Sequence, residues 1–97
     1  AIRKGGKGVK GDHAQYVIGS CFYRERDYNR AIVELYEVLQ KFPNGDRVPP
    51  SLLLLADSFS ASGEKIDARL ILQKLVNEHP NTPEAQKAKQ RLQALSE

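Results

Sequence analysis

AQYVIGSCFYRERDYNRAIVELYEVLQKFPN, residues 14–44, decides the fold, because SLLLLADSFSASGEKIDARLILQKLVNEHPN, residues 51–81, follows the same pattern at an offset of 37. Ile18 falls on Leu55, Gly19 on Ala56, Phe22 on Phe59, Ala31 on Ala68, Leu35 on Leu72, Val38 on Leu75, and Pro43-Asn44 on Pro80-Asn81. Small residues align with small and large with large, so a structural unit is repeated. Within the first unit, Ile18 and Phe22 share one helical face. After a turn at Arg26-Asp27, Ala31, Leu35, Val38, Leu39 and Phe42 form a second stripe. Leu52, Leu55 and Phe59, a break at Gly63, and Ala68, Leu72, Leu75 and Val76 repeat this order. Each unit then ends at a proline, which lacks the N–H needed to continue a helix. Gly19 with Ala31, and Ala56 with Ala68, stand where the two helices of a hairpin must approach closely.

The remaining segment begins with Thr82 as N-cap, Pro83 at the first helical position and Glu84 in the first turn. Ala85, Ala88, Leu92 and Leu95 make one narrow apolar stripe opposite Lys87, Lys89, Gln90, Arg91 and Gln93, the composition of a helix that closes a repeat stack. The spacing predicts an all-α chain with five helices over about 12–25, 28–42, 49–62, 65–79 and 83–96, each boundary good to roughly 2 to 4 residues. The expected domain runs over 12–97, with one repeat at 12–48, a second at 49–82 and a capping helix at 83–96. Residues 1–11, AIRKGGKGVKG, read as a flexible Gly/Lys-rich linker or a remnant left by the expression vector.

Apolar residues make up 40% and charged residues 28% of the 97, an ordinary globular balance in a chain long enough for one modest core. The net charge of +3 is local to the start. Arg3, Lys4, Lys7 and Lys10 leave 11 basic and 12 acidic residues from Gly11 onward, so no nucleic-acid partner is expected of the repeat body. The apolar run Leu52–Ala56 is far short of the roughly 20 residues of a membrane span. One cysteine, Cys21, allows no intrachain disulfide; its place in a tightly patterned helix suggests a small packing residue. His13 and His79 belong to different units with no acid, base or nucleophile motif around them, so neither catalytic residues nor a metal or other cofactor are expected.

The positions Ile18-Gly19, Phe22, Ala31, Leu35, Val38 and Pro43, then Leu55-Ala56, Phe59, Ala68, Leu72, Leu75 and Pro80, resemble the tetratricopeptide repeat, a 34-residue helix-turn-helix unit. The spacing of 37 implies three extra residues around Asp46-Arg47-Val48, and the family's usual early tryptophan is absent. The resemblance implies a right-handed superhelix of two repeats and a cap, with a concave groove lined by the first helix of each unit. It implies groove residues His13, Tyr16, Ser20, Tyr23 and Arg24 from the first unit, Leu53, Asp57 and Ser60 from the second, and Lys87 and Gln90 from the cap. Tyr16 and Ser20 stand where members that grip chaperone C-termini carry a lysine and an asparagine, so that ligand is not expected. Leu53 is expected to face a partner and Leu54 the capping helix.

AQYVIGSCFYRERDYNRAI, KFPNGDRVPPSLLLLADSF and NEHPNTPEAQKAKQRL further resemble the repeat domain of the Tol-Pal accessory proteins, also called cell division coordinators. This narrower resemblance implies a periplasmic location, no insertion into the membrane, and a protein partner such as the Tol-Pal stalk protein. Two alternatives are a domain like those of outer-membrane assembly lipoproteins and a cytosolic repeat scaffold, either acting through self-association at the open edge of the first repeat.

Overall fold

The computed structural model describes residues 11–96. Five α-helices of 14 residues each follow one another: α1 (Gly11–Arg24), α2 (Tyr28–Lys41), α3 (Val48–Ala61), α4 (Lys65–Glu78) and α5 (Pro83–Ser96). No strand occurs among the described residues. The helices agree with the spacing to within one or two residues. Gly11, expected in the linker, is instead the first residue of α1; the rest of the 1–11 expectation lies outside the described residues.

Local chemistry sets the ends. Asp27 caps α2, its carboxylate accepting from the Arg30 N–H at 3.3 Å. Phe42 and His79 close α2 and α4, and Pro43 and Pro80 follow each of them. The Thr82 hydroxyl accepts from the Ala85 N–H at 3.1 Å and donates to the His79 carbonyl at 2.8 Å, joining the end of α4 to the start of α5. Both intra-hairpin turns need one left-handed residue. The second uses Gly63 at φ 85°, whereas the first uses Arg26 at φ 65°, a conformation that crowds a side chain's Cβ.

Consecutive helices pack on one another, and α3 also touches α1 and α5, which makes it the centre of the stack. Its buried residues include Leu52, Leu55, Ala56 and Phe59; facing them are Ala31, Leu35 and Val38 of α2 and Ala68, Leu72 and Leu75 of α4. Gly19 is buried, and a Cβ built on it would stand 2.7 Å from both Cγ and Cδ2 of Leu35, so the α1–α2 crossing admits no side chain there. The capping helix buries Ala85 and Ala88 and half-buries Leu92 and Leu95.

Two expectations about α1 fail. Ile18 does not face the hairpin core but is 45% exposed, and Cys21 is exposed instead of packed. The cause is the same for both. The corresponding residues of α3, Leu55 and Ser58, are covered because a hairpin precedes them, and among the described residues nothing covers that side of α1.

Candidate functional site

The side chains that the first helices carry toward one face meet at α3. A hollow of about 170 Å³ opens between the starts of α1, α3 and α5, lined by Tyr16, Pro50, Leu53, Leu54, Asp57, Glu84 and Lys87. Farther along, a second hollow of about 140 Å³ lies between α3, α4 and α5, with Ala56, Asp57, Ser60, Arg91, Ala94 and Leu95 in its wall. Asp57 borders both. Its carboxylate takes a two-pronged bond from Arg91, Nε to Oδ1 at 2.7 Å and Nη2 to Oδ2 at 3.2 Å, which fixes α5 to α3 and leaves a neutral pair on the ridge between the hollows.

Of the residues expected in the groove, Tyr16, Leu53, Asp57 and Lys87 gather around the first hollow, and Asp57 and Ser60 around the second. Leu54, expected against the capping helix, shares the first hollow beside Glu84 and Lys87 of that helix. Tyr23 is half-buried, its ring 5.6 Å edge-on from that of Tyr28. Burial raises its phenol above the ordinary value, and the nearby Asp57 carboxylate and Tyr28 raise it further, against a smaller opposing pull from Arg91. Tyr23 therefore stands within electrostatic reach of the ridge.

The others lie apart. His13 is exposed and its Nδ1 accepts from Arg47 Nε at 2.9 Å, while Asp12 Oδ2 accepts from the Arg47 N–H at 3.4 Å; together they tie the first turn of α1 to the longer α2–α3 loop. Ser20 donates to the Val17 carbonyl of its own helix. Arg24 is exposed, with Nη2 3.6 Å from Cys21 Sγ. Gln90 is exposed and lines neither hollow.

Arg91 is the groove residue that sequence reasoning missed. From the second repeat to the cap the spacing shortens to 34, since Leu53 answers to Lys87, Asp57 to Arg91 and Ser60 to Ala94. Counting 34 from Asp57 singles out Arg91, whereas the 37 of the first two units leads from Asp57 to Ala94 and from Leu53 to Gln90. The extra residues of the α2–α3 loop also help shape a wider, open cleft of about 450 Å³ between the two inter-repeat loops, with Asp46, Arg47, His79 and Thr82 in its lining.

Among the described residues no three His, Cys, Asp or Glu side chains converge as a metal site would require, and none of the helices is long and apolar enough to cross a membrane. The arrangement is two shallow, open hollows divided by a neutral ion pair. Such a surface holds an extended or helical segment of another chain better than a small molecule, which needs enclosure.

Comparison with known families agrees with this geometry. The tetratricopeptide-repeat family model matches residues 22–92, from the end of α1 through most of α5. The chain belongs to the tetratricopeptide-repeat family. No curated protein matches it. Tetratricopeptide repeats generally mediate contacts between proteins and are typically non-catalytic, so the fold is an interaction scaffold whose inner helices line the groove.

Proposed function

We propose that this tetratricopeptide-repeat domain binds a segment of a partner protein in the groove between α1, α3 and α5, and that it is the repeat domain of a periplasmic Tol-Pal accessory protein. The observation that carries the first part is the convergence of Tyr16, Leu53, Leu54 and Lys87 on one hollow. An aromatic ring with a polar end, two leucines and an amine offer a pocket for one apolar anchor and a donor for the adjoining backbone or carboxylate. The Asp57–Arg91 pair limits how deep the anchor goes and marks where the segment passes to the second hollow. The Tol-Pal part rests on the resemblance of residues 14–32, 41–59 and 77–92 to those accessory proteins, and makes the envelope stalk protein the first partner to try.

The test is titration of the stalk protein's soluble part, followed by fluorescence anisotropy, against the parent and the double variant Tyr16→Ala, Leu53→Ala. Because both side chains are partly exposed, the variant should keep its helix content while binding weakens about 30-fold, the loss expected if one of the two is an anchor worth about 2 kcal/mol. Equal binding by the folded double variant would put the contact elsewhere on the domain. Absence of binding by the parent would remove the Tol-Pal assignment and leave the groove to be tried with other protein segments.

A further inference from the structure

The two hollows follow one another along α3, with the Asp57–Arg91 pair between them. The first takes Leu53 and Leu54 of that helix and the second Ala56 and Ser60, so their centres lie about 6 to 7 Å apart at the rise of an α-helix. Each has room for one apolar side chain. Leucines line the first, and Ala56, Ala68 and Ala94 leave space in the second. The pair dividing them is accessible, with 39% of the Arg91 side chain and 24% of the Asp57 side chain exposed. Its bonds engage Arg91 Nε and Nη2. Among the described residues Nη1 makes no hydrogen bond, and each Asp57 oxygen keeps a lone pair for a further donor.

We propose, on the reading that the groove binds a protein segment, that the segment is extended, with apolar side chains at i and i+2 in the two hollows and its main chain between them bonded to the Asp57–Arg91 pair. Two residues of extended chain advance about 6.6 Å, which matches the separation, and both side chains point to the same face. A helix with anchors at i and i+4 advances about 6 Å and also spans the hollows, so the pair decides between the two. The N–H and C=O groups of a helix are bonded to one another; lying over Asp57 and Arg91, it would displace their water without offering main-chain bonds in its place. An extended chain arrives with those groups unspent. Its N–H donates to an Asp57 oxygen and its C=O accepts from Arg91 Nη1, both charge-assisted bonds. Because Asp57 and Arg91 already neutralise one another, the pair matches an amide dipole better than a charged side chain.

The test is amide NMR of the isotope-labelled chain, titrated with short acetylated and amidated peptides of serine, glycine and asparagine that carry two leucines. Leucines two residues apart should shift the Leu53 and Ser60 amides together and bind about tenfold tighter than leucines three or four apart. N-methylation of the residue between the leucines should remove that advantage. Ala94→Leu, at an exposed position in the wall of the second hollow, should remove it too and leave the affinity of a single-leucine peptide unchanged. A preference for spacings of three or four overturns the extended segment while leaving the groove as the binding face. Equal binding of the N-methylated peptide overturns it as well. If no peptide shifts either hollow at about 5 mM, the proposal falls, and the groove reading stands or falls separately on titration with the stalk protein. Should Ala94→Leu fail to fold, the peptides decide.

Discussion

Ile18 and Leu55 hold the same register in two copies of one pattern, yet Leu55 is 0% exposed and Ile18 45%. The difference lies in neither side chain nor helix. Leu55 has a hairpin in front of it, and α1 has none among the described residues, so one apolar position is core in the second repeat and surface in the first. A repeat thus supplies the same face everywhere, and its place in the stack decides what that face does.

That contrast is open to direct measurement. Leu55→Ala removes a fully buried side chain from the most enclosed helix and should cost about 2 to 5 kcal/mol in urea unfolding, while Ile18→Ala at low protein concentration should cost less than about 1 kcal/mol. Equal losses would mean that α1 is as enclosed as α3.

Gly19 and Ala56 sharpen the comparison inside the hairpins. The Leu35 side chain closes on Gly19, and Leu at that position has no room, so Gly19→Leu should destabilise by about 1 to 3 kcal/mol despite leucine's better helix propensity. A variant that unfolds at the parent's urea concentration would show that α1 can shift away from α2, as an edge helix with one free side could.

The smallest effect is at the turns. Arg26 holds a left-handed conformation that Gly63 takes at its counterpart, so Arg26→Gly should raise stability by about 0.5 to 1 kcal/mol and Gly63→Ala should lower it by about the same amount. Thermal melts of the pair read both signs at once. Two changes of the same sign would break the equivalence of the turns.

Much of this molecule is legible in its residues because helix ends and hairpin turns are short-range features. Thr82, Pro43, Pro80 and Gly63 act within a few residues of themselves, and each marks the boundary its chemistry implies. The groove was legible in part. Tyr16, Leu53 and Lys87 share a hollow as the repeat register implies, but His13 is tied to Arg47 through a loop three residues longer than the usual repeat spacing, and such an insertion changes neighbours without changing any periodicity. Arg91 escaped because it was read as part of the polar outer face of α5, and only the packing of α5 against α3 sets it on Asp57.

By itself, then, the sequence determined five helices, the Thr82 cap of the last, their pairing into two hairpins and a closing helix, and the small residue at each close approach. All of these rest on spacings and backbone preferences that act over a turn or two of helix. Only the tertiary structure decided that Asp57 is neutralised by Arg91, that two hollows flank this pair, and that Val17, Ile18 and Cys21 lie on an open edge. Each of these depends on which helix stands beside which. Amphipathic spacing states that a face needs cover, and the packing of the whole chain decides whether it receives any.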